Sequence, residues 1–361
     1  MKAAIAATIR QLPSRPRPLT EIYREQLEGY VLADKLGFSH LWLAEHHFAD
    51  DAHNTSALPI LAAVAAQTTR IRIGTYVVLL SFHNPILFAE DAATVDLLSG
   101  GRLDVAVGAG PMPSECKVFG IPPNETFART YEALDVVQKC WTQESFSHHG
   151  KYFHFDEVAM TTKPAQRPHP PIYMAAAGPQ NAKRAAERGY HMAMGLGPSH
   201  KAYVEALRQA GKRPEDFIFT SGPIGIHIAD TQEQAWDEAE EPLRAWLEFY
   251  KRRQAPFVGN VPELGQFRKT PNIGFVGMPF IVTEHPFSSA VAHRVAHRLV
   301  ARRDAEPLQQ LVGALLPPDA GGGPRGRRAA YADRGQVEAR QRVERRRLAR
   351  AGRPGDRDDR V

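Results

Sequence analysis

The stretch IRIGTYVVLLSFHNPILFAEDAATVDLLSGGRLDVAVGAG, residues 71–110, contains two apolar runs separated by one amphipathic segment. Residues 71–80 and 103–110 are rich in branched apolar side chains, which favour β-strands. Residues 86–98 between them have apolar positions at helical spacing. The order strand, helix, strand predicts two parallel strands joined by a right-handed crossover. This stretch therefore indicates an α/β fold.

The same alternation extends over residues 1–282. Apolar runs predict further strands at residues 3–9, 40–44, 171–177, 190–197 and 217–229. Helical spacing predicts further helices at residues 20–36, 57–68, 126–142, 179–188, 200–210 and 232–250. Seven strand-helix units favour a TIM (β/α)8 barrel over an open sheet. A hairpin-like segment at residues 144–155 and an insertion at residues 251–282 interrupt the pattern.

The composition changes in the C-terminal segment, residues 283–361. No lysine follows Lys269, and Arg, Ala, Gly and Pro dominate. GC-rich codons encode these four residue types, so one hypothesis is a shifted reading frame, with the eighth β/α unit missing or replaced. The alternatives are a disordered basic tail and an arginine-rich surface for nucleic acid or membranes. Aromatic residues for base stacking are nearly absent there, which counts against nucleic-acid binding.

Charge and apolar content limit the class of protein further. The net charge is +5, and no run of 18 apolar residues predicts a transmembrane helix. The first residues lack the apolar length of a signal peptide. We therefore expect a cytoplasmic protein without a membrane partner. The two cysteines, Cys116 and Cys140, are expected to be free thiols.

The run LWLAEHHF, residues 41–48, places three ionisable side chains, Glu45, His46 and His47, after an apolar strand. In a barrel they would lie at the carboxyl end of the second strand, where barrel enzymes place their catalytic groups. Successive strand residues point to opposite faces, so we expect one histidine in the site, the other in a structural role, and no metal site. An inward histidine could act as a general acid or base. A purely structural histidine is the alternative.

These motifs, with ECKVFG at residues 115–120 and PPIYMAAAGPQNAKRAAERGY at residues 170–190, resemble the luciferase-like monooxygenase family over residues 1–240. The resemblance implies an enzyme that takes reduced FMN from a separate flavin reductase and reacts it with O2 through a flavin peroxide. It would oxygenate a small organic substrate, for example an aldehyde or another apolar carbonyl compound. The resemblance also implies a homodimer. A deazaflavin-dependent oxidoreductase and a non-catalytic flavin-binding protein are the alternatives.

The resemblance also assigns roles to residues. His46 would be catalytic and would handle protons, with Glu45 in the active-site shell. Tyr76 and Val77 would lie against the flavin ring, joined by a non-prolyl cis peptide bond. The other cofactor-binding candidates are Asn84, Gly108, Ala109, Gly110, Ala176, Gly178, Gln180 and Asn181.

Two features of this chain bear on its choice of cofactor. Gly178 precedes Pro179 at a predicted helix start, where free backbone N–H groups favour the flavin phosphate. Ala109 stands where the family pattern has an arginine that can bind phosphate, so we expect weaker phosphate binding here than the family pattern implies. No GxGxxG fingerprint follows the first strand, so we expect no nicotinamide site.

Overall fold

The computed structural model describes residues 4–176, 178–194, 198–220, 225–228, 231–253, 274–275 and 278–283. Its strands are β1 (Ala4–Ala7), β2 (His40–Leu43), β3 (Arg72–Leu79), β4 (Leu103–Gly108), β5 (Phe146–His149), β6 (His154–Val158), β7 (Ile172–Ala175), β8 (His191–Ala193), β9 (Gly225–Ile228), β10 (Gly274–Phe275) and β11 (Met278–Thr283). Its α-helices are α1 (Leu19–Leu36), α2 (Ala57–Ala65), α3 (Pro85–Ser99), α4 (Pro113–Phe119), α5 (Thr126–Thr142), α6 (Pro179–Arg188), α7 (Pro198–Gln209) and α8 (Gln232–Arg252).

Six strands form one curled parallel sheet in the order β1-β2-β3-β4-β7-β8. Helices connect consecutive strands of this sheet, so the predicted α/β alternation and TIM-barrel-like class are confirmed. Every residue of β4 is buried, as expected for a parallel sheet covered on both faces. The carboxyl ends of all six strands lie at one edge of the sheet, where loops collect functional side chains. The predicted hairpin is also present, as the antiparallel pair β5 and β6.

The start of β3 is fixed by a buried carboxylate. Asp34 in α1 accepts hydrogen bonds from the backbone N–H groups of Thr69, Arg70 and Ile71, at 3.3, 3.1 and 2.7 Å. Farther along β3, Gly74 allows the Trp42 ring to pack close to the backbone, because a Cβ there would lie 2.5 Å from that ring. These contacts set the position of β3 beside β2, and both strands lead to the candidate site.

The structure adds detail to two sequence predictions near the C-terminal end of the described chain. The predicted strand at residues 217–229 contains β9, Phe219 forms an isolated bridge with Met192, and residues 221–224 and 229 lie outside the described residues. The predicted insertion at residues 251–282 contains β11, which pairs in parallel with β9. The Gly and Pro content of that segment concealed a run, MPFIVT, whose aromatic and β-branched residues favour a strand.

The C-terminal hypotheses fall almost wholly beyond the described residues. Residues 284–361 lie outside them, including the predicted eighth β/α unit. The boundary after residue 282, the disordered tail and the shifted reading frame therefore stay predictions. Within the described ranges, no helix combines the length and the apolar character needed to cross a bilayer.

Candidate active site

The histidines of the EHHF motif lie in a loop that follows β2. The strand ends at Leu43, so the alternation of side chains expected for a strand stops before Glu45. Buried Asn54 closes the loop: its Nδ2 donates to the Ala44 carbonyl at 2.6 Å, and its Oδ1 accepts from the Ile9 N–H at 2.8 Å. His46 and His47 therefore bind different carboxylates, Glu115 and Glu45, and the assignment of one histidine to catalysis and the other to a structural role stays a prediction.

Glu45 is 2% exposed and gathers three donors on one oxygen. Its Oε1 lies 3.0 Å from His47 Nε2 and 2.9 Å from His83 Nε2. The Leu79 N–H at the end of β3 donates to the same oxygen at 3.3 Å. Burial opposes ionisation of Glu45, but the hydrogen bonds from His47 and His83 outweigh it and lower its pKa. The carboxylate therefore links the loop after β2 to the end of β3.

His46 lies between a carboxylate and a phenol. Its Nδ1 is 3.4 Å from Glu115 Oε1, and its Nε2 is 3.3 Å from Tyr250 Oη. If Nδ1–H donates to the carboxylate, Nε2 accepts from the Tyr250 hydroxyl, which is the arrangement that satisfies both partners. Phe249 packs edge-on against the ring, with centroids 5.4 Å apart. The C-terminal part of α8 therefore covers the catalytic candidate.

Glu115 in α4 connects this histidine to the rest of the loop. Its side chain is fully buried, and Oε1 accepts from the His47 N–H at 3.0 Å and from Arg253 Nη2 at 3.2 Å. Arg253 also donates to the carbonyls of His47 and Phe48, at 2.6 and 2.8 Å. Burial alone would raise the pKa of Glu115, but the hydrogen bond from His46 and the backbone and Arg253 contacts lower it. Glu115 and Arg253 thus fix the backbone of the loop at His47 and Phe48.

A second buried histidine packs behind His46. His53 is 4% exposed, and its ring meets that of His46 edge-on with centroids 4.8 Å apart. Burial lowers the pKa of His53 to about 4, although Asp51, 3.5 Å from Nδ1, acts in the opposite direction. His53 is therefore neutral near pH 7.

The flavin-ring candidates lie at the next strand. The Tyr76–Val77 peptide bond is cis, as predicted, and the pairing of β3 with β4 shifts register between Thr75 and Val78. The Tyr76 hydroxyl is 2.7 Å from Thr220 Oγ1. On β4, Gly108 leaves room for the Val77 side chain. A Cβ at Gly108 would lie 2.5 Å from Val77 Cγ2.

The remaining cofactor-binding candidates are spread over three strand ends. Gly178 has φ 82° at the start of α6, and a Cβ there would have no heavy atom within 4 Å. Next to it Gln180 is exposed and Asn181 half-buried, whereas Ala176 and Ala109 are buried. Gly110 has φ 58° and lies against Phe82. Asn84 Oδ1 caps α3 by accepting from two backbone N–H groups, and its contact with a cofactor stays a prediction.

Sequence reasoning gave no role to four residues that build this site. His83, Glu115, Tyr250 and Arg253 lie between 38 and 206 residues from the EHHF residues that they contact. No local spacing connects such distant positions. A carboxylate at the start of a short helix after β4 was the one available signal for Glu115.

The comparisons with known proteins identify the family. A profile described as luciferase-like monooxygenase matches residues 1–270. The chain belongs to the luciferase-like monooxygenase family. Its predicted family is thereby confirmed, and so is its nature as an oxidoreductase enzyme.

Relatives within the luciferase-like family use two kinds of cofactor. The oxygenase component of a flavin-dependent trigonelline monooxygenase from Acinetobacter baylyi is 27% identical, over 61% of this chain and 63% of the relative. An F420-dependent glucose-6-phosphate dehydrogenase from Amycolatopsis mediterranei is 32% identical, over 73% and 82%. The solved structure of the monooxygenase RslO1 from Streptomyces bottropensis has a TM-score of 0.64 at 26% identity, covering 84% of this chain and all of that one. The chain matches only part of some relatives. Its match with the protein y4vJ from Sinorhizobium fredii covers 49% of that protein's length.

Proposed function

We propose that this luciferase-like protein is the oxygenase component of a two-component monooxygenase. It would use reduced FMN from a separate flavin reductase, together with O2, to oxygenate a small organic substrate. We favour an aldehyde or another apolar carbonyl compound as the substrate class. The observation that carries the proposal is the His46–Glu115 pair in the loop after β2, which Glu45 joins to the end of β3.

The described residues fit a flavin at two positions. At Gly178 a positive φ and open space coincide with the first turn of a ten-residue helix, where backbone N–H groups suit a phosphate. At Gly108 the missing side chain leaves room for Val77, whose Cγ2 would lie 2.5 Å from a Cβ at Gly108, so small apolar groups line this part of β4 and β3. The fit lacks an arginine at Ala109. A bound reduced flavin would supply the electrons that activate O2.

The chain itself would supply a positioned proton carrier. Glu115 orients the His46 ring through Nδ1, so proton transfer would take place at Nε2, where the Tyr250 hydroxyl now lies 3.3 Å away. Glu45 would keep His47 and His83 in place beside it. Phe249 and Tyr250 would limit the access of water, which reduces the diversion of the flavin's electrons into hydrogen peroxide instead of the substrate.

The cell-level assignments follow from the same proposal. We assign the protein to the cytoplasm, where a flavin reductase and reduced flavin are available. We expect a homodimer, as the family resemblance implies, and no nucleic-acid or membrane partner. The absence of a GxGxxG fingerprint agrees with a reductase that binds the nicotinamide donor elsewhere.

A second candidate is an F420-dependent hydride-transfer enzyme on the same fold. Ala109, which removes an arginine from the phosphate region, favours it, and so does the 32% identity to an F420-dependent dehydrogenase. In that case the protein would bind reduced F420 more tightly than reduced FMN. It would also leave unchanged the rate at which reduced FMN is oxidised by O2.

Anaerobic titration with reduced FMN and reduced F420, followed by mixing with oxygenated buffer, distinguishes these functions. The proposal predicts tighter binding of reduced FMN and an absorbance transient that outlives the oxidation of free reduced flavin. Preferential F420 binding without a transient would instead support the dehydrogenase. Tight FMN binding with oxidation as fast as in free solution would support a non-catalytic flavin-binding protein.

FMN and riboflavin together test the phosphate position. We expect Gly178→Ala to lower the affinity for FMN towards that for riboflavin, since φ 82° with ψ 159° is strained for any residue with a Cβ. Riboflavin binding should not change. Gly211→Ala, which has a similar φ of 68° and open surroundings, is the matched control. Equal losses for both ligands would argue against a phosphate at Gly178.

A further inference from the structure

Glu45, His47 and His83 bring three ligand atoms within 4.8 Å of one another. Two imidazole nitrogens and one carboxylate oxygen form a ligand set that suits divalent ions such as Zn²⁺, Co²⁺ or Fe²⁺. We propose that these three residues bind one divalent transition-metal ion, which replaces the hydrogen bonds that now join them. The inference is independent of the proposed function, because it concerns binding by the protein without flavin.

The separations between the ligand atoms are close to those that a metal ion requires. His47 Nε2 and His83 Nε2 lie 3.0 and 2.9 Å from Glu45 Oε1. A tetrahedral ion with bonds of about 2.0–2.1 Å holds neighbouring ligands roughly 3.3 Å apart. The two nitrogen–oxygen pairs therefore need to separate by only a few tenths of an ångström, and all three ligand atoms lie within 4.8 Å of one another. Both rings direct Nε2 at the same oxygen, Glu45 Oε1.

Contacts outside the cluster hold the ligands in place. The backbone of His47 is fixed by Glu115 at its N–H and by Arg253 at its carbonyl. His83 lies between the short 3-10 helix Leu80–Phe82 and Asn84, which caps α3. Little chain ordering would accompany metal binding, since these supports exist without the ion.

The exposed side of the cluster gives a metal ion a route to its ligands and leaves one coordination position of the ion open to solvent. The side chain of His83 is 31% exposed, that of His47 is 14% exposed, and that of Glu45 is 1% exposed. An ion would approach from the His83 side and meet a buried carboxylate last. A water molecule or another small ligand could complete its coordination on the exposed side, as in zinc sites with three protein ligands.

Cobalt titration of the chelator-treated protein tests the site. Co²⁺ should bind with one equivalent and produce the visible absorbance of a site with fewer than six ligands, and Zn²⁺ should abolish that absorbance. His83→Gln keeps a donor towards Glu45 but removes the imidazole. We expect it to raise the Kd for Co²⁺ by at least about tenfold, since even an outer-shell partner contributes that much. Urea unfolding would verify that this variant is folded.

A competing surface site defines the control. His149 on β5 lies 3.3 Å from Asp156 and its side chain is 62% exposed, so it is a plausible place for weak metal binding. His149→Ala should leave the cobalt absorbance and the Kd unchanged. The proposal is wrong if no such absorbance forms, if His83→Gln binds Co²⁺ as wild type does, or if His149→Ala abolishes binding. In wild type, Zn²⁺ should also shift the imidazole ¹⁵N signals of His47 and His83, and unshifted signals would contradict the proposal without any variant.

Discussion

His53 should make the stability of this protein depend on pH. His53 is 4% exposed, and its Nδ1 lies 3.5 Å from Asp51 Oδ1. Burial lowers its pKa from 6.5 to about 4. The unfolded chain therefore binds more protons than the folded protein between these two values, and stability falls as the pH decreases through that window. The contribution is fully present above pH 6.5.

The magnitude follows from the two pKa values of His53. With 6.5 in the unfolded chain and about 4 in the folded protein, acidification from pH 7 to pH 5 costs about 2 kcal/mol. Urea unfolding of wild type and His53→Leu at both pH values measures this term. The variant has no ring to protonate, so its free energy of unfolding should fall by about 2 kcal/mol less than that of wild type. His149→Ala should behave as wild type. Equal losses in wild type and His53→Leu would refute this account of His53.

Three further predictions concern other buried groups. Asp34→Ala should lower the free energy of unfolding by about 2–3 kcal/mol in urea, because three backbone N–H groups lose a charged acceptor; a change below 1 kcal/mol would contradict this. Gly108→Ala should cost about 1–3 kcal/mol by overpacking against Val77 and should weaken FMN binding, and unchanged stability and affinity would be the contrary result. In a double-mutant cycle, Glu115→Gln and Arg253→Met should couple by about 0.5–3 kcal/mol, whereas additive effects would mean no interaction.

Periodicity and capping made most of the fold predictable. The helix predicted at residues 179–188 has the same bounds as α6, since Pro179 starts it and Gly189, with φ 76°, ends it. The helix at residues 126–142 likewise matches α5. Strand β11 was not predicted, because its short run follows a Gly- and Pro-rich segment and its partner β9 is distant in sequence.

The site was predictable only as far as one strand end and one motif could define it. Glu45 and His46 stand out because ionisable residues follow an apolar strand. The partners of His46, Glu115 and Tyr250, are 69 and 204 residues away from it, and tertiary packing alone brings them together. The pairing of His47 with Glu45 was missed for another reason. The strand ends at Leu43, so the alternation rule no longer holds there.

Rapid mixing of the protein and photoreduced FMN with oxygenated buffer tests the central claim most directly, with His46→Ala and His149→Ala measured beside wild type. If His46 is the positioned proton carrier, wild type and His149→Ala should give a long-lived absorbance transient. His46→Ala should then oxidise reduced FMN as fast as it oxidises in free solution. An equally long-lived transient in His46→Ala, or none in any of the three proteins, would contradict the assignment of His46 as the catalytic residue of an FMN-dependent monooxygenase.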